Sequence, residues 1–439
     1  VTGRELPRAA LAIRGTVEGF YGPPWSPAQR LAHLEFSARV GLDTYVYAPK
    51  GDAHHRLRWR EPYPAAELAQ LRELATAARR LGVRFVYAIS PGLDMGFAGE
   101  ADHRALAGKA GQLAGAGVEQ FALFFDDVPA ELTRPEDVAR WPGAGGAGAA
   151  HGVACTRFVT GFLAARGLRR SLLVCPTDYA GTRETPYRRE FARTAPPDAL
   201  IAWTGRDVVV GSVTRDEIDR AAAAYRRRLV LWDNFPVNDF APRRLFLGPL
   251  TGRTPDVGGS ALVGVLANPM PLAVPSRIPL VSVADWAADP AGYDPARSAA
   301  RALPLVAGAG ADDLAPLVRV SSSWPPSAVP DAQLARTADA ALAGDPGARA
   351  ALSARLAELA RGCRAATRPA DLIAPLRPWL AAGAAMADAG LAAARLLTGT
   401  SRDPGAARAA LAAAEEHWAD VLRPVVPPFV REVLRRCAG

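Results

Sequence analysis

Two adjacent carboxylates, Asp126 and Asp127, close the apolar run Phe121-Ala122-Leu123-Phe124-Phe125 and are the sharpest chemical feature of the sequence. Side by side at the end of a buried strand, they repel one another in a low dielectric. At least one should then hold its proton to higher pH than a free carboxyl and serve as a donor near neutrality. The dipeptide alone also fits a plainer arrangement, with one Asp capping the following helix and the other facing water. Other β-rich runs end in polar groups too. Read in order, their ends carry Glu18-Gly19-Phe20-Tyr21, Lys50, Asp94, Asp126-Asp127, Asp178-Tyr179, Trp203-Thr204, Trp232-Asp233-Asn234 and Asn268. Carboxylates beside rings and carboxamides suit a sugar, whose apolar faces stack on aromatics while its hydroxyls take hydrogen bonds.

Other chemistries find little support. The six histidines include no pair at metal-ligand spacing, and the adjacent His54 and His55 cannot share a helix face as ligands at i and i+4 would. No phosphate-binding loop, nucleophile elbow or kinase signature is present, so neither a metal nor a cofactor is expected. Cys155, Cys175, Cys363 and Cys437 read as scattered thiols, which leaves the compartment open between cytoplasm and exterior. The start at Val1 lacks a signal-peptide pattern, although a removed one would leave no trace.

The elements that must hold these residues repeat one rhythm. Eight apolar, β-rich runs (12–20, 44–48, 84–90, 120–127, 171–176, 199–205, 229–234 and 262–268) alternate with Ala/Leu/Arg stretches of helical period. Strands alternating with helices pair in parallel, and continuous apolar runs are buried on both faces. Eight such units over this length predict a (β/α)8 barrel, with chemistry at the C-terminal strand ends. Ser26-Pro27 opens one helix, Thr214 with Glu217 forms a capping box for another, and 142–150 (PGAGGAGAA) reads as a flexible loop after the fourth strand. From about residue 294 the strand runs stop and helices take over. Leu352, Leu356, Leu359, Leu376, Leu380, Leu411, Trp418 and Leu422 supply their apolar faces. The expected division is a catalytic barrel over 1–292 and an all-α helical bundle over 293–439.

Composition agrees with a globular chain of 439 residues, 49% hydrophobic and 22% charged. The net charge of +8 admits a polyanion partner. However, the arginines are spread singly or in pairs near acidic residues, so a solvated surface is the better reading and no nucleic acid is expected. No uncharged run of 18 apolar residues occurs, and no membrane span is expected. Among 52 basic residues only Lys50 and Lys109 are lysine. Lys50 stands at a strand end, where a compact ammonium on a flexible stem reaches a hydroxyl that a planar guanidinium would crowd; Lys109, in a helix-like stretch, has no evident task.

At this point a resemblance becomes specific. The run Arg14-Gly15-Thr16-Val17-Glu18-Gly19-Phe20-Tyr21-Gly22-Pro23-Pro24-Trp25 resembles the opening of family-84 glycoside hydrolases, the β-N-acetylglucosaminidases that include protein O-GlcNAcases. So do Tyr47-Ala48-Pro49-Lys50, Trp59-Arg60-Glu61, Tyr87-Ala88-Ile89-Ser90-Pro91-Gly92-Leu93-Asp94, the Asp126-Asp127 run, Cys175-Pro176-Thr177-Asp178-Tyr179, Trp203-Thr204-Gly205, Trp232-Asp233-Asn234 and Asn238-Asp239, in the expected order over residues 13–270. The resemblance implies a barrel followed by a helical domain and substrate-assisted hydrolysis with retention, removing terminal β-linked GlcNAc from glycoproteins or glycans. It implies that Asp126 holds the substrate's 2-acetamido N–H while Asp127 acts as acid and then base. Tyr179 and Asn234 would steady the acetamide, Trp232 and Thr204 would line its pocket, and Gly19 (through its backbone), Lys50, Asp239 and Asn268 would bind hydroxyls.

The sequence departs from the family pattern at Pro23, Gly51 and Arg206-Asp207, which the resemblance places near the pocket rim, on the side of the aglycone. The small α/β domain that often precedes the barrel in bacterial members is not expected in this chain, where the barrel motif starts by residue 14. A GlcNAc-binding pseudo-enzyme is the alternative, which the retained carboxylates and Tyr179 oppose. The helical domain could wall a groove or form a homodimer.

Overall fold

The computed structural model describes residues 10–168 and 171–437. Eight parallel strands close into a barrel in chain order: β1 (Ile13–Glu18), β2 (Thr44–Tyr47), β3 (Arg84–Ile89), β4 (Gln120–Phe124), β5 (Leu173–Cys175), β6 (Leu200–Trp203), β7 (Arg228–Asp233) and β8 (Leu262–Ala267). Closure runs through β1 and β8, where Ile13 pairs with Gly264 and Thr16 with Ala267. Gly264 is needed there, because a Cβ would lie 2.4 Å from that of Ile13. Inward residues of every strand, among them Val17, Val46, Ala88, Phe124, Cys175, Ala202, Val230 and Leu266, fill the barrel as a packed core. The expected (β/α)8 architecture and all eight strand runs are present.

The helices of this part are α1 (Pro27–Val40), α2 (Ala65–Arg80), α3 (Glu100–Gly115), α4 (Pro135–Arg140), α5 (Gly146–Phe158), α6 (Pro186–Thr194) and α7 (Arg215–Tyr225); α8 (Ala273–Ala288) follows β8, and its residues are divided between the two units given below. Helix α1 starts with a full capping box, Ser26 accepting from the Gln29 N–H and Gln29 answering at the Ser26 N–H. Thr214 and Glu217 do the same for α7.

The segment 142–150 differs from expectation. From Gly146 it is helix, and buried. Gly148 serves close approach to α6 and not freedom, since a Cβ there would lie 2.2 Å from the Tyr187 carbonyl oxygen; Gly152, further along α5, does the same, since a Cβ there would lie 2.1 Å from Thr194 Oγ1.

The chain divides into two compact units, one formed by Val1–Val237, Leu250–Ala273 and Val283–Asp294, the other by Asn238–Pro249, Val274–Ser282 and Pro295–Gly439. The second unit contains α9 (Pro295–Ala307), α10 (Ala311–Val320), α11 (Ala332–Leu342), α12 (Pro346–Ala365), α13 (Ala370–Leu397), α14 (Pro404–Glu416) and α15 (Val426–Cys437). The leucines expected to form its core are buried, Leu352, Leu356 and Leu376 almost completely. Trp418 is the exception. It lies beyond the end of α14, is 53% exposed, and meets Trp379 edge-on at 5.5 Å. Among the described residues, α13 is long and apolar enough to cross a membrane by length and composition alone. Its Leu372, Leu376, Met386 and Ala393 are buried, and it packs along α12, α14 and α15, as the central helix of a bundle does.

Candidate active site

The strand ends of the barrel bring most of the expected residues to one mouth. Asp126 follows β4 directly and is 4% exposed. Its Oδ2 is ion-paired with the Lys50 ammonium and lies 4.0 Å from Arg56 Nη1. Its Oδ1 is buried and, among the described residues, has no hydrogen-bond partner. Burial alone raises the proton affinity of this carboxyl. Lys50, and with it Arg56 and His55, outweigh that and hold it below the usual carboxylate range. For Asp126 the expected upward push from its neighbour is therefore reversed, because two cations stand closer to its charge than the pairing argument allowed.

Asp127 is aimed elsewhere. Its backbone is left-handed, with φ of 53°, a conformation rare outside glycine and costly to hold. This twist turns two consecutive side chains apart. Asp127 Oδ2 accepts from the Tyr21 hydroxyl at 2.6 Å and Oδ1 from the Tyr179 hydroxyl at 2.8 Å. Both phenols are held in their neutral form by burial first and by the Asp127 charge second. Arg56 Nη2 donates to the Asp127 carbonyl oxygen at 2.9 Å, so one guanidinium touches the backbone of one Asp and faces the carboxylate of the other. Neither Asp caps a helix, since α4 begins only at Pro135. The plainer arrangement open to the dipeptide is not adopted.

On the far side, β7 and β8 supply a carboxamide pair. Asn268 Nδ2 donates to Asn234 Oδ1 at 2.9 Å, and that oxygen also accepts from Trp232 Nε1 at 3.0 Å. Asn268 Oδ1 accepts from the Gly19 N–H at 3.3 Å. The Trp232 indole lies against Gly19, where a Cβ would come within 2.5 Å of Cζ2 and where glycine alone leaves the ring its place. Thr204 is buried, its hydroxyl donating to the Asp207 carbonyl and its N–H to that of Tyr179. Asp239 belongs to the second unit and is half-buried.

Other strand-end carboxylates are committed to structure, Asp178 and Asp233 among them. Asp178 is taken by Arg188 and Thr185, and Asp233 by the fork of Arg253 at 2.6 and 2.7 Å. Of the rim departures, Gly51 packs beneath Pro24, where a Cβ would sit 2.9 Å from Cδ, and Arg206 is tied to Glu217 at 2.8 Å.

The sequence reading missed Arg56 and Tyr21 as site residues. Tyr21 stood in a quoted run without a role; Arg56 lay in the long segment after Lys50, where nothing in spacing marks it. His55 also sits here, fully buried, its Nδ1 2.7 Å from the Ala88 carbonyl oxygen. Burial, and then Lys50, push its pKa down to about 4, so the ring is neutral at physiological pH.

A beta-N-acetylglucosaminidase profile matches residues 14–319. The chain is 37% identical over 262 residues to protein O-GlcNAcase of Rattus norvegicus and, equally, of Mus musculus. These alignments cover 58% of this chain and span only 28% of the length of the rodent proteins. A mutant of the Thermobaculum terrenum O-GlcNAc hydrolase superposes with a TM-score of 0.87 at 28% identity, covering 97% of this chain and 95% of that one. The structure of CpGH84B gives a TM-score of 0.88 at 28% identity over 98% of this chain and 77% of its own. With the barrel, the paired aspartates and these matches together, the chain belongs to the beta-N-acetylglucosaminidase family, family 84 of the glycoside hydrolases.

Proposed function

We propose that this chain is a retaining exo-β-N-acetylglucosaminidase that works through the substrate's own acetamido group. The observation that carries the reading is the contrast between the two aspartates. Asp126 keeps a buried Oδ1 without a partner among the described residues, on a carboxylate held charged by Lys50 and Arg56, an acceptor suited to an amide N–H. Accepting that hydrogen bond makes the acetamide carbonyl oxygen more nucleophilic and orients it toward the anomeric carbon. As the C–O bond to the leaving group breaks, Asp127 gives that oxygen a proton, and the acetamide oxygen closes an oxazoline. Asp127 then takes a proton from the incoming water, which opens the ring with a second inversion and so net retention.

Tyr179, beside Asp127, and Asn234 are proposed to steady the acetamide, with Trp232 and Thr204 as pocket walls. Gly19, Asn268 and Asp239 are proposed to bind hydroxyls. Lys50 uses one of its three donors on Asp126 and keeps others for the sugar. The domains proposed with this function are a catalytic barrel ending near residue 292 and a helical bundle after it. The likeness to protein O-GlcNAcases supports serine- or threonine-linked GlcNAc as the substrate.

The test is cleavage of a chromogenic aryl N-acetyl-β-glucosaminide by the wild type, with Asp127→Asn losing about 10²- to 10⁴-fold on a poor leaving group and far less on a good one. No cleavage between pH 4 and 8 would refute the proposal.

A further inference from the structure

The second lysine of the sequence is not idle. Lys109, on α3, is 2% exposed. Its ammonium donates to the Glu61 carbonyl oxygen at 2.6 Å and stands 3.9 Å from the centre of the Tyr63 ring. One turn further along α3, Gln112 grips the Tyr63 backbone at both ends, its Oε1 accepting from the N–H at 2.8 Å and its Nε2 donating to the carbonyl at 2.9 Å. The Tyr63 hydroxyl in turn binds Asp52 Oδ2, which the Tyr47 hydroxyl also reaches at 2.7 Å, while Asp52 Oδ1 accepts from the His54 N–H at 2.8 Å. Every one of these contacts closes on the irregular segment 48–64 between β2 and α2. That segment carries Lys50 and Arg56 to Asp126.

A loop of this length has no ladder of its own to fix its shape, and the position of Lys50 depends on what ties the loop down. We propose that Lys109 is a positioning residue, its ammonium clamping Glu61 and Tyr63 so that Lys50 and Arg56 are held against Asp126. The inference rests on the reading of Asp126 as the acetamide-holding carboxylate. A neutral amine keeps a donor for Glu61 but loses the attraction to the Tyr63 ring and to the acidic groups that face it, which are Asp52 and Glu61 from the loop and Glu67 from α2, with Arg58 opposing. Burial pushes the pKa of Lys109 down to about 8, so the clamp weakens within an accessible range.

The experiment pairs Lys109→Met, which keeps the volume and removes the charge, with the wild type on an aryl glycoside whose leaving group needs no proton. The expected loss in kcat/KM at pH 7 is about ten- to hundredfold, the worth of one charged hydrogen bond, carried mainly by kcat. The wild type should lose activity as pH rises through about 8, and Lys109→Met should lack that limb. Folding responds in the opposite sense. With the folded pKa below the ordinary 10.5, the unfolded chain binds more protons between pH 8 and 10.5, so stability rises with pH there. Titration of Lys109 therefore does not produce the limb by unfolding the chain.

Hydrogen exchange supplies a readout that needs no turnover: amides of residues 50–56 should lose protection in Lys109→Met. Unchanged exchange together with unchanged kinetics overturns the inference. A wild type that cleaves nothing overturns the site reading instead, while exchange still decides the clamp. Should Lys109→Met fail to fold, Lys109→Gln takes its place in the same two measurements, and exchange at residues 50–56 and kinetics both equal to the wild type refute the proposal.

Discussion

Asp126→Asn separates the proposed mechanism from its competitors. Asp126 and Lys50 have side chains 6% and 3% exposed, so their charges meet in a medium that screens them poorly. Replacing the carboxylate by a carboxamide costs twice. The acetamide N–H loses a charged acceptor and gains a neutral one. A hydrogen bond to a charged group contributes about 1.5–3 kcal/mol, and with about 1.4 kcal/mol per tenfold this predicts a fall in kcat of about ten- to hundredfold. Lys50 and Arg56 also lose the anion between them. Breaking a buried pair costs about 3–5 kcal/mol of stability, which should appear as a lower urea midpoint.

The assay uses two aryl N-acetyl-β-glucosaminides that differ only in leaving-group pKa. Asp126→Asn should lose the same factor on both, because it acts on the nucleophile and not on departure, whereas the Asp127→Asn loss should be concentrated on the poorer one. Acid titration adds a second check. The folded pKa of Asp126 is depressed, so the stability it contributes is present above the ordinary carboxylate pKa and is lost only as pH falls through the lower folded value. An acid limb of the wild-type rate above pH 5 must then survive in kcat for the Asn variant. Asp126→Asn kinetics within twofold of wild type on both substrates, or a loss confined to the poor leaving group, would refute the assignment.

Lys50→Arg should raise KM about tenfold, because a guanidinium fork would take both oxygens of Asp126, including the Oδ1 that Lys50 leaves unclaimed among the described residues; an exposed control such as Arg220→Lys should change nothing, and equal kinetics for the two would refute this role of Lys50. His151 is fully buried, stacked on Phe125 at 4.2 Å, and burial pushes its pKa down to about 3. The unfolded chain takes up that proton near pH 6.5 and the folded chain does not, so stability falls as pH drops below 6.5; His151→Phe should show a smaller drop in urea midpoint from pH 7 to 5 than the wild type, and an equal drop would count against it.

The barrel was legible because each strand is an apolar run buried on both faces, and that signal does not depend on neighbours. The paired aspartates were legible by their place after such a run. What the sequence concealed has a common physical cause. Glycines at 146 and 148 look like flexibility in one dimension and are close approaches in three, since only the facing Trp141 and Tyr187 define the space they leave. Arg56 and Lys109 act across sequence distances of 71 and 48 residues, on a backbone carbonyl in each case, and no residue type marks a carbonyl as a target. Trp418 carried helical spacing from Leu411, but α14 ends at Glu416, so the periodicity continued past the helix that gave it meaning.

Arginine excess and the rarity of lysine are connected through the strand-end carboxylates. Glu18 is fully buried and takes the Arg30 fork at 2.8 Å on each oxygen, with Trp25 N–H and Tyr45 as further donors. Asp94 takes Arg60 and Trp59, Asp178 takes Arg188, and Asp233 takes Arg253. A guanidinium presents donors in a fixed fork, so these contacts occupy both oxygens of Glu18 and Asp233 and turn them into joints that hold the barrel mouth rigid. A carboxylate saturated in this way has no oxygen left for a substrate. Asp126 is treated differently: a lysine meets only Oδ2, Arg56 stays 4.0 Å away while it holds the Asp127 carbonyl, and Oδ1 remains unclaimed among the described residues. Charge is supplied without saturation, and an ammonium, a point donor without a fork, can do that where an arginine at position 50 would cover both oxygens. The number of open acceptor positions, and not burial or acidity, is what singles Asp126 out from the carboxylates that surround it.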